Sequence, residues 1–272
     1  EASGNIFYLG IGRPQPFATS TRADSRTDNE GTDSAPITPA DNTTSQTYPF
    51  DDLLAAKKIT STDVTFVAPR RNWTTGTTYD IYRHDYGNRI TGTATNTTAN
   101  SGVSTLHDAA FYVLTTERNV YKCLDNDNNT ASTVEPTGTS TSILTTADGY
   151  KWKYMYTLSA SQQANFLSTD FMAVATNSTV ASAAVDGAVN IVKIKTAGSG
   201  GSDGTHTNID IRGDGTGGKV SVTVASGAVT AVTVTTPGTG YTFGTISNAQ
   251  IVAAGATSLS GAELDVIIEP KG

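Results

Sequence analysis

A single cysteine, Cys123, stands in the 272 residues, which excludes an internal disulfide and a thiolate metal cluster. Charged residues make up 16% of the chain, fewer than long solvated helices require. Lys and Arg never run beyond the pairs Lys57-Lys58 and Arg70-Arg71, and the net charge is -7 with a pI near 4.9. That balance argues against a nucleic acid partner, whose phosphates need a basic surface. No apolar stretch approaches the ~20 residues of a helical membrane span, so no membrane insertion is expected. The three histidines, His84, His107 and His206, lie far apart, at no spacing that suits a metal site or a catalytic triad. No motif places two carboxylates together as a glycosidase would need. The residues therefore name no catalytic, cofactor-binding or metal-binding group, and the expectation is that the protein is not an enzyme and uses no cofactor. The sequence opens at Glu1 rather than Met and reads as an internal piece of a longer product.

What is abundant is Gly, Ala, Ser, Thr and Asn, with aromatics concentrated in one place. From Tyr150 to Thr157 the chain alternates strictly: Tyr150, Trp152, Tyr154 and Tyr156 on one side, Lys151, Lys153, Met155 and Thr157 on the other. Side chains of a strand point to opposite faces with period two, so four aromatics share one face of a sheet. Each can bury ~150–250 Å², enough to organise a small domain. A carbohydrate-stacking platform is the rival reading of that face. The lysines opposite suit solvent or a partner's acidic surface. Asp148-Gly149 in front of the strand is turn chemistry.

Taken in order, Ile6–Gly12 reads as a buried strand ended by Pro14 and Pro16. Residues 18–47 are too polar to pack a core. Phe50–Lys58 suggests a short helix, with Asp51 and Asp52 at its positive end, Lys57 and Lys58 at its negative end, and Leu53 and Leu54 facing inward. Val64–Val67 reads as a strand, and Tyr79, Ile81 and Tyr82 as a short extended segment. Phe111–Thr116 and Val120–Leu124 form a β-hairpin. Ser159 caps a helix over 160–167, and Phe171–Val174 is a further strand. The long polar segments 18–47 and 84–108 are expected to be arms that order against partners.

Beyond about residue 177 the aromatics nearly vanish and a repeat begins. Asp186-Gly187-Ala188-Val189 matches Ser226-Gly227-Ala228-Val229, and Val192, Ile194, Thr196, Gly198, Gly200 and Gly204 return forty positions later as Val232, Val234, Thr236, Gly238, Gly240 and Gly244. The register holds for Ile209 and Ile211 against Ala249 and Ile251. It then slips by four before Val220–Val224 matches Leu264–Ile268. A slip between conserved-looking strands is what a duplicated β-unit predicts, and neither copy alone buries its apolar face, so the two should pack as a sandwich.

Three sequence features resemble sites without meeting their chemistry. Asp125–Asn129 imitates the start of a calcium loop, but Thr130 stands where Gly is needed and Pro136 where Glu is needed. Gly213–Gly218 is glycine-rich with no helix after it, so it reads as a hairpin loop and not a phosphate cradle. Asn42, Asn72, Asn96, Asn128 and Asn177 begin Asn-X-Ser/Thr triplets, usable for glycans only on a secreted route.

Five strings in order, Phe7–Phe17, Val67–Trp73, Val120–Asp125, Glu135-Pro136 and Asp148–Tyr156, resemble the baseplate wedge subunit of T-even-like contractile-tailed phages, the gene eight product type, in its cyanophage-like variant. The resemblance covers about residues 5–175, and the Gly/Val/Thr-rich remainder departs from it. It implies a structural, non-catalytic virion protein of the tail baseplate, assembled in the host cytoplasm, homodimeric within each wedge, with other wedge and tail proteins as partners. An extracellular β-rich fibre or glycan-binding protein is the alternative, with Trp73, Tyr241 and Phe243 as its stacking aromatics.

The expected fold is mostly β with a few short helices. A β-sandwich-like core with long loops is expected over 1–176. A Gly/Val/Thr-rich β domain is expected over 177–272, duplicated over about 186–225 and 226–268. The expected core is Ile6, Tyr8, Val64, Phe66, Phe111, Val113, Tyr121, Trp152, Tyr154 and Phe171. Arg13, Arg70, Arg71 and Trp73 are the interface candidates, because Arg and Trp anchor buried interfaces; Arg70 and Arg71 equally suit an anion site or structural pairing with carboxylates.

Overall fold

The computed structural model describes residues 6–12, 31–32, 35–36, 53–84, 86, 101–103 and 105–269. The fold is mostly β, built from several small sheets with short helices. The chain forms two compact units, Glu1–Phe66 and Val67–Gly272, so the compositional change near residue 177 falls inside the second unit.

In the first unit, β1 (Phe7–Gly12) pairs antiparallel with β4 (Leu53–Ile59), Phe7 opposite Ile59 and Gly12 opposite Leu53. Two short strands, β2 (Gly31–Thr32) and β3 (Ala35–Pro36), pair between them in sequence. The helix expected up to Lys58 is therefore a strand over its described part; Phe50–Asp52 lie outside the described residues. Its few residues are too short a run to hold a helix alone, whereas the ladder gives their main-chain groups partners on β1. The burial expected here is also absent. Ile6, Tyr8, Leu53, Leu54, Val64 and Phe66 are all exposed, Phe66 at 87%. Among the described residues of this unit no second layer covers the two-stranded ladder, and Val64 and Phe66 follow it in a segment without strand or helix. Most of 18–47 and of 84–108 lies outside the described residues.

The second unit begins with β5 (Val67–Pro69), which starts three residues after the strand expected at Val64 and pairs with β10 (Phe171–Ala173). Its main sheet runs β6-β7-β9-β8, from β6 (Tyr112–Leu114), β7 (Asn119–Asp125), β8 (Leu144–Thr145) and β9 (Lys151–Thr157). The expected hairpin is β6 and β7, with Val113 opposite Tyr121. On β9 and the residue before it the four aromatics are buried, Trp152 completely. Only Tyr150, Trp152 and Tyr154 share one cluster: a bulge opposite Val120 and Tyr121 turns Tyr156 to the other side, with Met155, Val120 and Met172. Trp152 stacks on Tyr150 at 5.4 Å and meets the edge of Tyr79 at 5.7 Å. Tyr121, Cys123 and Val113 complete this core. Phe111 is only half-buried and Phe171 is exposed, because Phe171 lies on the short β5–β10 ladder where its neighbour Met172 takes the inward position. Tyr79–Tyr82 belongs to no strand. It is held by main-chain bonds, Tyr82 N donating to Cys123 O at 2.8 Å and Asp80 N to Ala110 O at 3.2 Å, and by Asn126 donating to the Tyr79 carbonyl at 2.9 Å.

After β9, α1 (Ala160–Phe166) opens with a capping box between Ser159 and Gln162, satisfying two helix-end N–H groups at once. A second short helix, α2 (Ser178–Ala183), is capped by Asn177. The duplicated region follows: β11 (Ala188–Ser199), β12 (Gly204–Asp210), β13 (Arg212–Gly213), β14 (Lys219–Ala225), β15 (Ala228–Thr236), β16 (Gly244–Thr245), α3 (Asn248–Ala253) and β17 (Ser260–Glu269).

The first strand of each copy pairs with the last strand of the other. β11 runs antiparallel to β17, and β15 antiparallel to β14, which also carries β12. The exchange extends to single hydrogen bonds: Tyr241 N donates to Gly187 O at 3.2 Å, and Gly201 N donates to Gly227 O at 2.9 Å. Shifting 201 and 187 by forty gives 241 and 227, so the copies are related by an approximate two-fold. The two sets of strands share one core, in which Val189, Val220, Val222 and Ile251 are fully buried. The copies part where the register slips. Ile209 and Ile211 sit on or beside strands, whereas Ala249 and Ile251 lie on α3, started by a Ser247–Gln250 capping box.

Candidate interaction site

The lysine face of β9 is where the second unit brings its charges together. Lys153 on β9 stands opposite Lys122 on β7, and both ammonium groups reach Glu269 Oε2, at 2.9 and 3.2 Å. Glu269 is the end of β17, so the pairs join the aromatic sheet to the duplicated region. Further along the same face Asp125 takes Lys193 of β11 at 2.7 Å and Lys151 at 3.5 Å, and Arg83 pairs with Asp265. Leu124, Ile191 and Ile267 form a small apolar cluster beside this row. Burial alone would raise the Glu269 carboxyl, but the Lys122 and Lys153 charges outweigh it and hold it below its ordinary value. Burial pulls the Lys122 ammonium down, against the attraction of Glu269. The expectation that the β9 lysines meet solvent or another protein's acids is thus corrected: Lys153 meets Glu269, 116 residues on, and Lys151 meets Asp125 on the neighbouring strand.

One face of the sheet is covered twice, and incompletely. β11 and β17 cover the end carrying Leu124 and Asp125, while β10 brings Met172 over the end carrying Leu114 and Val120. Between them lies an open apolar groove of about 170 Å³, lined by Ala68, Phe111, Tyr112, Val120, Lys122, Met155, Tyr156 and Met172. Lys122 is its charged wall. The Lys122 ammonium also lies 4.3 Å from the Tyr82 ring centroid, a cation–π contact.

Of the interface residues expected from sequence, Arg13 lies outside the described residues. Arg70 donates to Ser168 O at 2.8 Å and to Asn72 Oδ1 at 2.9 Å. Arg71 donates to Asp108 O at 3.1 Å and stacks over Tyr112 at 5.5 Å, while its buried Nε finds no acceptor among the described residues. Trp73 is half-buried against the aromatic core and donates to Ser132 Oγ at 3.1 Å. These three side chains hold their own loop to the rest of the second unit. Arg71 touches the groove through Tyr112; Arg70 and Trp73 are not among its lining residues. Sequence reasoning missed Lys122, Glu269 and the two groove methionines. The alternation of Lys153 and Met155 was visible, but what faced them was not.

The remaining motifs resolve into structure. Asp125–Asn129 is a turn in which Asp127, Asn128 and Asn129 all take positive φ, a conformation Asn and Asp tolerate best after Gly; the Asp125 oxygens face lysines. Asp148 accepts from Thr133 N at 2.7 Å and Val134 N at 3.0 Å. Asp214, in the glycine-rich loop, accepts from Thr242 N at 2.9 Å and Phe243 N at 3.2 Å. With the Thr242 hydroxyl these bonds bring its carboxyl down to about 2. Asp80, fully buried, accepts from Ala110 N at 2.7 Å and from Ser101 N at 2.9 Å. Burial pushes the Cys123 thiol well up, which leaves it unreactive. His84 Nδ1 accepts from Ile268 N at 3.2 Å. No group of three or more His, Cys, Asp and Glu side chains able to hold a metal occurs among the described residues, and no helix of theirs is long and apolar enough to cross a membrane. The β9 aromatics are too buried to stack on a sugar. Tyr241 is buried as well, its hydroxyl accepting from Gly218 N and donating to Ile211 O.

No family model, curated protein or solved structure matches the chain.

Proposed function

We propose that this chain is a structural subunit of the baseplate wedge of a contractile phage tail, acting by protein–protein assembly and without catalysis. In this reading it is a virion protein assembled in the host cytoplasm, paired with a second copy and with other wedge and tail proteins. The five ordered strings resemble those of that family, and the first of them begins with strand β1. The observation that carries the reading is the exposure of that strand. Ile6, Phe7, Tyr8, Leu9 and Ile11 are each more than half exposed, as is Leu54 on β4. Among the described residues no third strand joins the ladder. A two-stranded ladder with apolar side chains in water is not stable by itself, and a bare apolar edge is a template for another chain. A subunit that folds fully only within its assembly has this character.

The test is electron microscopy of the native particles labelled with an antibody against residues 177–272. Label confined to the distal end of contractile tails is expected. Label spread along fibres overturns the reading in favour of a fibre protein, and absence of label both before and after particle disruption overturns it outright.

A further inference from the structure

The groove between the two covering layers is incomplete in a chemically specific way. Its lining is almost wholly apolar: Ala68, Phe111, Tyr112, Val120, Met155, Tyr156 and Met172, with Lys122 as the one charged side chain. Its volume, about 170 Å³, is close to that of an apolar cavity able to take a benzene ring, on the order of 150 Å³. At the charged end the balance of charge is uneven. Two ammonium groups, Lys122 and Lys153, share one oxygen of the single carboxylate Glu269. Other acids of the row are engaged elsewhere: Asp125 with Lys193 and Lys151, Asp265 with Arg83. Among the described residues the apolar space therefore ends at two ammonium groups that share a single carboxylate.

We infer that this groove docks a segment of a partner protein that presents one aromatic or long aliphatic side chain with a carboxylate next to it. The ring or chain fills the space between Met155 and Met172. The carboxylate approaches Lys122 and adds a second negative charge beside the two ammonium groups that share Glu269. Burial of an apolar anchor beside a charge-assisted contact is a common way for an interface to combine affinity with orientation. The inference is independent of the baseplate reading, since the groove belongs to the Val67–Gly272 unit and the exposed ladder to the other.

The chain has two methionines, and both line the groove. Protein labelled with [13C-methyl]methionine therefore carries a methyl reporter of this space at Met155 and another at Met172, assigned by Met155→Leu and Met172→Leu. The probes are 3-phenylpropionate, which carries the ring and the carboxylate, and 3-phenylpropanamide, which keeps the ring without the charge. Saturable shifts of both methyl signals with the acid are expected, with the amide binding on the order of tenfold more weakly. Equal binding of acid and amide overturns the acidic partner, and no saturable shift with the acid overturns the docking site. Ala68→Phe, which places a ring in the groove, should remove the response to the acid while both methyl signals stay sharp. A full response in that variant would place the binding elsewhere and overturn the assignment.

Discussion

Lys153 and Glu269 stand 2.9 Å apart, one on the central aromatic strand and the other at the end of the last described strand. This pair, shared with Lys122, joins the sheet that the aromatics organise to the duplicated region. Glu269→Gln leaves two largely buried ammonium groups without their counter-charge. Breaking one partner of a buried pair is costly, so the variant should lose about 3 kcal/mol in urea unfolding. A midpoint equal to wild type would show that the two regions hold together without this pair.

The same carboxylate sets a pH dependence. Burial pushes the Glu269 pKa up, the two lysines push it down, and the net is a depressed value. A carboxyl depressed in the folded state contributes stability above its unfolded pKa, near about 4.3, and loses it as pH falls through the folded value. Wild-type stability should therefore decline on acidification below about pH 5, and Glu269→Gln should decline less steeply. Parallel pH profiles for the two proteins would assign the acid sensitivity to other carboxyls.

Trp152 is fully buried between Tyr150 and Tyr79, and its indole N–H has no acceptor among the described residues. Trp152→Ala should cost about 3–5 kcal/mol through the cavity it leaves. Trp152→Phe keeps an aromatic ring and removes the unpaired N–H, itself a penalty of about 1–3 kcal/mol, so it should cost clearly less than the alanine variant. Equal losses in thermal unfolding would mean that ring packing contributes little here.

The parts of this fold legible in the sequence are those written in local pattern. Period-two alternation gave β9, Ser159 gave α1, and the forty-residue recurrence gave the two copies. What stayed hidden depends on partners distant in the chain. Leu53–Ile59 has helix-forming residues and helix-like charge placement, yet the ladder with Phe7–Gly12 decides its state. Ile6, Tyr8 and Phe66 are apolar, but burial needs a covering layer that no local pattern encodes. The groove was illegible for the same reason: Met155 and Met172 lie on different strands, and Lys122 meets Glu269 across 147 residues. Arg70, Arg71 and Trp73 were singled out as residue types that favour interfaces, and the same donor-rich groups serve equally well to tie a loop to main-chain carbonyls.

Tyr241 links the two copies through its hydroxyl, which accepts from Gly218 N at 3.1 Å and donates to Ile211 O at 3.0 Å in a buried setting. Tyr241→Phe leaves both main-chain groups without that partner. A loss of about 1–3 kcal/mol is expected, with faster amide exchange at Gly218. Unchanged exchange there would show that another group or water takes over the bond.

The approximate two-fold makes the last prediction a comparison within one molecule. Gly187 and Gly227 occupy equivalent places before β11 and β15, with φ of +65° and +77°. Both conformations are unfavourable for any side chain, by about 1–2 kcal/mol. Their surroundings differ: a Cβ on Gly187 would stand 2.3 Å from Tyr241 N and 2.6 Å from Tyr241 O, whereas one on Gly227 would meet Gly200 N at 3.2 Å. The first contact is with backbone that is itself hydrogen-bonded to Gly187 and cannot turn aside. Gly187→Ala should therefore cost more than about 3 kcal/mol, and Gly227→Ala about 1–2 kcal/mol. Equal losses in the two variants would mean that the copies are packed alike and that the closer approach at Gly187 relaxes without cost.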